Sequence, residues 1–316
     1  MKPKLLICTP IKNIKDLYEK LNKFFIITYK PTVSENQLKN LNQFDYIFTN
    51  PNMSKIKFDK NFLIKCDRLK AICTASTGTN HIDLQYLKDN RIKLVYLRNN
   101  KKVINKISST AEHAFALMMN TVRHINTSAM SVRKKQWEYL PYVGRQMNFL
   151  TVGVIGYGRL GKMFVKLLKG FDPKILIYEK KFKISDHNKK YQTGLNELLK
   201  KSDIIALHIH ADKENINFID NKKLRIVKKN LIIINTSRGE VVNEGDIINF
   251  LKNNKSAKYS TDVVKNEIKG KWKSKILKEF LKGNKNILIT PHIGGMTDDA
   301  QFLAYHAVAN DLIKMI

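Results

Sequence analysis

Proline, glycine and long apolar runs are all scarce in this chain. Its 316 residues include 7 prolines and 14 glycines, too few for collagen-like or low-complexity structure. Apolar runs such as residues 5–8 and 232–234 have the length of strands, whereas a membrane helix needs about 20 apolar residues. Because 43% of the residues are hydrophobic, the chain can bury a sizeable core. We therefore expect two folded domains and no transmembrane segment.

Cysteine is also scarce, and its pattern disfavours both a disulfide framework and a zinc site. Cys8, Cys66 and Cys73 have no C-x-x-C spacing and leave an odd count. The apolar run near the N-terminus, residues 5–8, is too short for a signal peptide. We therefore expect reduced thiols in a cytoplasmic protein.

Acidic residues are few, 27 against 57 basic ones, so the formal net charge is +30. This sign is typical of nucleic-acid binders, which neutralise phosphates with Lys and Arg. Only nine of the basic residues are Arg, however, and the 48 lysines are spread along the whole chain rather than clustered. We expect solvated lysine-rich faces and no specific nucleic-acid partner, with a nucleic-acid binder driven by charge as the alternative.

Short apolar runs alternate with amphipathic segments, which predicts parallel sheets covered by helices. In the first half, strands are predicted at residues 5–8, 46–48, 71–74 and 94–97, with helices at 16–23 and 84–88. In the second half, strands are predicted at 152–155, 175–178, 204–208, 231–235 and 287–290, with helices at 163–168, 195–200, 245–253 and 298–316. The polar segment 99–106 marks a boundary between the two series.

The second series opens with a strand that runs into a G-x-G-x-x-G turn. Gly156 permits a tight turn, Gly158 allows a pyrophosphate to approach the backbone, and Gly161 allows close helix–strand packing. Glu179 ends the next strand, 23 residues after Gly156, where a carboxylate accepts hydrogen bonds from the adenosine ribose. The spacing predicts a dinucleotide site, with an ordinary glycine-rich turn as the alternative.

A carboxylate at Glu179 would repel a 2′-phosphate, so we expect NAD rather than NADP. Lys180 and Lys181 follow directly and weaken this preference, because they could neutralise such a phosphate. The predicted fold class is thus α/β, with two doubly wound parallel-sheet domains, Rossmann- or flavodoxin-like, and a cleft between them.

Three side chains with catalytic chemistry follow strands of the second series. Arg238 follows one strand in the run N-T-S-R-G, Glu267 follows the next in D-V-V-K-N-E, and His292 follows the last in T-P-H-I-G-G. Because the carboxyl ends of parallel strands meet at one edge of a sheet, these side chains should lie near one another. Alone, each is typical of a surface charge or a packed histidine; together they predict an active site.

In the order and type of these motifs, the chain resembles the D-isomer-specific 2-hydroxyacid dehydrogenases over essentially its whole length. Within that family it is most similar to the short form of D-3-phosphoglycerate dehydrogenase, through residues 78–83, the glycine turn and residues 292–297. The resemblance implies that His292 is the general acid/base, that Glu267 orients it and stabilises its protonated form, and that Arg238 binds the substrate carboxylate.

The resemblance also implies binding residues and a cofactor, NAD. The expected cofactor-binding residues are Gly156, Gly158, Arg159, Leu160, Gly161, Glu179, His208, Thr236, Asp262, Gly294 and Gly295. The expected substrate-binding residues are Ser76, Thr77, Gly78, Arg238 and His292. No metal is expected: His208 and His210 share a strand face, but no carboxylate or Cys completes a site nearby.

The substrate is less well defined, because the first half departs from the family pattern. Phosphoglycerate dehydrogenases commonly carry Arg-Ser where this chain has T-N-P-N at residues 49–52, so Lys55 or Lys101 would have to bind a phosphate. We expect a D-2-hydroxy acid and its 2-oxo acid, with phosphoglycerate as the first candidate. The alternatives are a reductase of hydroxypyruvate, glyoxylate or another 2-oxo (sugar) acid, and a non-catalytic NAD(H)-sensing protein on the same fold.

We place the domain boundaries near residues 103 and 296. Residues 1–103 with 296–316 are expected to form the substrate-binding (catalytic) domain, and residues 104–295 the NAD-binding Rossmann domain. The resemblance further implies a homodimer built on the helix after Ser109, and Trp137 is predicted to be a packing residue. No membrane partner is expected.

Overall fold

The computed structural model describes residues 2–51 and 56–316, which divide into two compact units. The first runs to Ile107 and takes in Gly295–Ile316; the second is Ser108–Gly294. The boundary lies beyond the expected residue 103 because Val103 and Ile104 pack against the core of the first unit. Lys55, considered above for phosphate binding, and Asn52, the last residue of the T-N-P-N segment, lie outside the described residues.

Within the described residues, the strands and helices alternate along both units. The strands are β1 (Lys4–Ile7), β2 (Ile26–Tyr29), β3 (Tyr46–Thr49), β4 (Ala71–Thr74), β5 (Lys93–Tyr96), β6 (Thr151–Ile155), β7 (Lys174–Tyr178), β8 (Ile204–Leu207), β9 (Ile232–Asn235), β10 (Lys258–Thr261) and β11 (Ile287–Ile289). The α-helices are α1 (Leu17–Phe24), α2 (Lys60–Leu63), α3 (Leu84–Asp89), α4 (Lys101–Ile104), α5 (Ser109–Arg123), α6 (Ile125–Arg133), α7 (Arg159–Lys169), α8 (Leu195–Lys201), α9 (Asn221–Leu224), α10 (Glu244–Asn253), α11 (Glu267–Gly270), α12 (Lys275–Leu281) and α13 (Asp298–Ile313).

The first unit is a five-stranded parallel sheet in the order β2-β1-β3-β4-β5. Its central strands are buried on both faces, which is why they are continuous apolar runs. The C-terminal helix α13 completes this core, because Ala304, Val308 and Leu312 pack in one cluster with Leu5 and Phe48. The chain therefore returns to its first unit at its end.

The second unit is a six-stranded parallel sheet in the order β11-β10-β9-β8-β6-β7. Strand β6 lies between β7 and β8, so the chain reverses its direction across the sheet at the carboxyl ends of β6 and β8. In open α/β sheets, ligands bind at such a switch point. Helices α5 and α7 contribute to the core cluster on one face, and α8, α10 and α12 contribute to a separate one.

The all-parallel α/β architecture is confirmed, but several elements differ from expectation. The sequence does not predict β2, because it is a half-exposed edge strand. It predicts a strand before Asp262 but not the ends of that strand, β10, because the sequence K-Y-S-T is mostly polar. In the predicted C-terminal helix, which is α13, the apolar side chain of Phe302 is 45% exposed. The prediction that Trp137 packs was wrong within this chain, since it is 89% exposed. Across the described residues, no helix is long and apolar enough to cross a membrane.

Candidate active site

A tight glycine turn joins β6 to α7. Gly156 has a φ of +95°, a conformation that favours glycine. A Cβ on Gly161 would lie 2.1 Å from the carbonyl oxygen of Gly156, so the first turn of α7 packs directly on this loop. A Cβ on Gly158 would meet nothing within 4 Å. Open space therefore borders the N-terminus of α7, where backbone N–H groups favour an anion, and a pyrophosphate fits this cradle.

Glu179, directly after β7, is attached to the glycine turn. Its Oε2 accepts a hydrogen bond from the backbone N–H of Tyr157 at 2.8 Å, and its Oε1 accepts one from the N–H of Lys181 at 2.8 Å. These two bonds hold the carboxylate beside the turn rather than in bulk solvent. The predicted partner of the adenosine ribose is thus placed at the carboxyl end of the strand next to β6.

The two lysines that follow Glu179 are paired with acids of the loop after β8. The Nζ of Lys180 lies 2.9 Å from a carboxylate oxygen of Glu214, and the Nζ of Lys181 lies 3.0 Å from one of Asp212. The hydrogen bond to Glu214 raises the pKa of Lys180, and the bond from Lys181 lowers the pKa of Asp212. Both ammonium groups are therefore engaged by carboxylates.

Two buried polar atoms at the same edge of the sheet have no hydrogen-bond partner within the described part of the chain. They are Nε2 of His208, after β8, and Oγ1 of Thr236, after β9. The His208 ring packs on Phe164, with ring centroids 4.9 Å apart, and burial lowers its pKa to about 4. Unpaired buried donors and acceptors are unfavourable, so these atoms fit a site that a polar ligand completes.

Arg238 lies in a turn that is packed against the loop carrying Glu267. Asn235 donates a hydrogen bond from Nδ2 to the backbone oxygen of Arg238 at 3.0 Å. A Cβ on Gly239 would lie 2.1 Å from the carbonyl carbon of Val264, so only glycine allows this approach. The Arg238 turn and the Glu267 loop are therefore neighbours, as the shared sheet edge predicts.

Glu267 and His292 form a direct pair. Oε2 of Glu267 lies 2.6 Å from Nδ1 of His292, and Oε1 of Glu267 accepts a hydrogen bond from the N–H of Val264 at 2.8 Å. Each side chain is about a quarter exposed, so neither is sealed in the core. A carboxylate on Nδ1 orients the ring and leaves Nε2 as the nitrogen on the opposite side.

Asp262 holds the loop that carries His292. Its Oδ1 accepts hydrogen bonds from the Thr290 hydroxyl at 2.6 Å and the Ile293 N–H at 2.9 Å, and its Oδ2 accepts one from the Gly294 N–H at 2.7 Å. Burial alone would raise the pKa of Asp262, but hydrogen bonds from His113, from Thr290 and from these two N–H groups lower it overall. A cofactor-binding role for Asp262 stays a prediction, as does that of Gly294.

Two residues of this network were missed by the sequence analysis. Nε2 of His113, near the start of α5, lies 2.9 Å from Oγ1 of Thr290 and 3.3 Å from Oδ1 of Asp262. Thr290 precedes the P-H-I-G-G run, which is a signal that could have marked it. Nothing in the sequence marks His113, because it belongs to a helix far away along the chain.

The remaining predicted residues occupy the expected elements, except Gly295, which was expected in the NAD-binding domain and lies in the first unit. Arg159 and Leu160 open α7, and burial lowers the pKa of Arg159. In the first unit, the Ser76 hydroxyl donates to the backbone oxygen of Gly78 at 2.7 Å, while Thr77 is exposed after β4. Gly295 begins the C-terminal segment of that unit. No group of three His, Cys, Asp or Glu side chains within residues 2–51 and 56–316 could hold a metal ion.

Comparison with known proteins identifies the family. The model of the D-isomer specific 2-hydroxyacid dehydrogenase NAD-binding domain matches residues 115–294. A glyoxylate reductase of Thermococcus litoralis is 32% identical over 81% of this chain and 77% of its own length. A D-3-phosphoglycerate dehydrogenase of Archaeoglobus fulgidus is 27% identical over 99% of this chain and 57% of its own.

One solved structure is similar to this chain over most of its length and contains NAD. The crystal structure of a D-lactate dehydrogenase of Aquifex aeolicus, complexed with NAD and lactic acid, has a TM-score of 0.79 and 27% identity. The alignment covers 98% of this chain and 93% of that one. With a matching NAD-binding domain and this glycine cradle, the chain belongs to the NAD-dependent D-isomer specific 2-hydroxyacid dehydrogenases.

Proposed function

We propose that this enzyme interconverts a D-2-hydroxy acid and its 2-oxo acid with His292, Glu267 and Arg238 as its catalytic groups. The observation that carries the proposal is the 2.6 Å contact between Glu267 and Nδ1 of His292, beside the turn of Arg238. This arrangement provides a proton donor, a carboxylate that stabilises the charged imidazole, and a guanidinium for an anionic substrate.

Each group has one role in the reduction of the 2-oxo acid. When bound, NADH supplies the hydride that adds to the carbonyl carbon. His292 gives the proton from Nε2 to the carbonyl oxygen, and Glu267 holds the ring while it is charged. Arg238 binds the substrate carboxylate and polarises the carbonyl. In oxidation, His292 accepts the hydroxyl proton instead.

For the cofactor we propose NAD with little use of NADP. Around the predicted ribose site, the carboxylates of Glu179, Asp212 and Glu214 outnumber the two ammonium groups of Lys180 and Lys181. A dianionic 2′-phosphate would meet a surplus of negative charge, and both lysines are already paired. The ribose hydroxyls of NAD are uncharged, so these carboxylates do not repel them.

For the substrate we propose a small unphosphorylated 2-oxo acid such as glyoxylate or hydroxypyruvate. After β3, the buried Asn50 donates from Nδ2 to the hydroxyl of Tyr305 at 2.7 Å, and that hydroxyl also lies 3.0 Å from Thr9. Among the described residues, these three neutral side chains offer a phosphate no charged partner. Relatives named glyoxylate reductase support the same choice.

The phosphorylated substrate of D-3-phosphoglycerate dehydrogenase is the second candidate. Relatives with that name cover up to 99% of this chain, and Lys101 is exposed at the start of α4. A phosphorylated substrate would require that lysines bind the phosphate as point charges, without a bidentate Arg.

The test is the initial rate of NADH and NADPH oxidation with glyoxylate, hydroxypyruvate, pyruvate and phosphohydroxypyruvate. A preference for an unphosphorylated acid supports the proposal. A preference for phosphohydroxypyruvate would move the assignment to the second candidate. Tight NADH binding without turnover of any acid would favour the NAD(H)-sensing alternative and contradict the catalytic roles.

We also propose a homodimer. The segment from α6 to β6 exposes several large apolar side chains, which in a monomer would contact water: Ile125, Met130, Val132, Trp137, Tyr139, Leu140, Val143 and Phe149. Such a concentration is typical of a protein interface, and Trp137 is a good anchor for a partner pocket. Light scattering should give twice the chain mass, and Trp137→Ser with Leu140→Ser should shift it toward the monomer.

We finally propose a cytoplasmic location. All three cysteines are free and buried, and burial raises the pKa of Cys8 and Cys66 to about 12. Protonated, inaccessible thiols suit a reducing compartment. Cell fractionation with an antibody against this chain tests the location; recovery with the membrane or secreted fraction would overturn it.

A further inference from the structure

His113 has no role in the mechanism above, yet it contacts the support of the catalytic loop. It lies on α5, whereas Thr290 and Asp262 follow β11 and β10, and the His113 side chain is 18% exposed. Its Nε2 is 2.9 Å from Oγ1 of Thr290. Three separate elements of the second unit therefore converge beneath the loop that bears His292.

The direction of the hydrogen bonds follows from the number of protons. The Thr290 hydroxyl has a single proton, which it donates to Oδ1 of Asp262 at 2.6 Å. With that proton engaged, Nε2 of His113 is the donor, and its proton lies between Oγ1 of Thr290 at 2.9 Å and Oδ1 of Asp262 at 3.3 Å. His113 therefore supports Asp262 both through Thr290 and by direct contact.

The loop at the end of this chain has a conformation that needs support. His292 has a φ of +57°, in the left-handed region that is uncommon for a residue with a Cβ. The next two N–H groups, of Ile293 and Gly294, both donate to Asp262, which is 2% exposed. A carboxylate with a fixed orientation thus determines the backbone on the C-terminal side of His292.

We propose that His113 and Thr290 are positioning residues, which orient the Asp262 carboxylate and so hold residues 290–294 in the conformation that places His292. The inference rests on the proposed role of His292 in proton transfer. Neither residue exchanges a proton with the substrate; both act through the geometry of the loop. Because Asp262 and Gly294 are also predicted to bind the cofactor, loss of either hydrogen bond should lower kcat far more than it weakens NADH binding.

Two conservative pairs of variants test this. Thr290→Val removes the hydroxyl at nearly constant shape. It should lower kcat about 10- to 100-fold, as expected for a misplaced catalytic group. Its NADH dissociation constant should stay within about threefold of the wild-type value. Thr290→Ser keeps the hydroxyl and should restore most of kcat. His113→Phe should resemble Thr290→Val, and His113→Gln, which can still donate, should be milder. The combination of His113→Phe with Thr290→Val should lower kcat by less than the product of the two separate effects, because both residues support the same carboxylate.

A second measurement separates this inference from the proposed function. In hydrogen exchange, Thr290→Val and His113→Phe should speed exchange at the amides of Ile293 and Gly294, whatever substrate the enzyme uses. Thr193→Val, which loses an exposed hydroxyl bond to Glu197, is the matched control and should change neither measurement.

If Thr290→Val kept the kcat of the wild-type enzyme and its rates of amide hydrogen exchange at Ile293 and Gly294, the inference would be overturned. A parallel loss of NADH affinity without rescue by Thr290→Ser would also overturn it, because the residue would then be merely structural. If the wild-type protein reduced no 2-oxo acid, the proposed function would fail alone, and the exchange of these amides would decide whether the network holds the loop.

Discussion

Glu267 and His292 contact each other through Oε2 and Nδ1 at 2.6 Å, and they follow two neighbouring strands of one sheet, β10 and β11. Glu267→Gln keeps the shape but removes the charge that stabilises imidazolium, so kcat should fall by about 10²-fold. His292→Gln removes the proton donor and should lower kcat by at least about 10³-fold. Stopped-flow kinetics measures both, and NADH titration should show unchanged affinity. Full activity in Glu267→Gln would contradict the assigned role.

Arg238 should be required for substrate rather than for cofactor. Arg238→Lys keeps the charge but not the bidentate geometry, so kcat/KM for the 2-oxo acid should fall about 10²-fold or more. Steady-state kinetics with varied 2-oxo acid tests this, and NADH binding should not change. The exposed Arg225 at the end of α9 provides the control, because Arg225→Lys should behave as wild type. A loss confined to NADH affinity would assign Arg238 to the cofactor instead.

Alanine variants of two glycines in the turn should have different effects, one on NADH affinity and the other on the stability of the fold. Gly158→Ala adds a Cβ that meets no protein atom within 4 Å, so the melting temperature should stay constant. NADH affinity should fall about tenfold or more, since the cofactor pyrophosphate is expected in that space. Gly161→Ala would instead place its Cβ 2.1 Å from the Gly156 oxygen and should destabilise the fold by about 1–3 kcal/mol.

The control for the glycine variants is Gly194→Ala, whose Cβ also meets nothing within 4 Å and lies before α8. It should change neither the melting temperature nor NADH affinity. Wild-type NADH binding by Gly158→Ala would exclude close approach of the pyrophosphate at this position.

Cofactor choice should respond to the acids that pair with the lysines. Asp212→Asn with Glu214→Gln releases Lys181 and Lys180 and removes two negative charges, so the NADPH dissociation constant should fall about tenfold while that of NADH changes little. Fluorescence titration with each nucleotide measures this. The exposed Glu197 pairs with Lys201, so Glu197→Gln is the control. Equal changes for both nucleotides would argue against a 2′-phosphate effect.

Stability should fall in mild acid because of His208. Burial lowers its pKa from 6.5 to about 4, so the unfolded chain takes up a proton at a pH where the folded chain does not. Stability from this group is therefore complete above pH 6.5 and declines as the pH falls toward 4, by at most about 3 kcal/mol. Urea unfolding at a series of pH values measures it. His208→Phe should flatten the decline, whereas His187→Gln, at an exposed position, should not.

Much of the fold was predictable because the relevant signals are local. The central strands are apolar runs of four or five residues, and the glycine turn needs only Gly156, Gly158 and Gly161 in sequence. Strand β2 was missed because it lies at a half-exposed edge, and β10 was expected before Asp262 but without bounds, because its sequence is mostly polar. Their strand conformation depends on pairing with β1, β9 and β11, which are distant along the chain.

By itself, the sequence determined the α/β class, the cradle for NAD, and the presence of Arg238, Glu267 and His292 at strand ends, because each depends on neighbours along the chain. The contact of His113 with Thr290 and the hydrogen bonds that Asp262 accepts from the loop of His292 could not be predicted from the sequence. Those bonds join residues on separate elements, and their geometry exists only after the sheet and α5 have packed. The same packing left Trp137 exposed, since whether a large apolar side chain is covered depends on what folds over it.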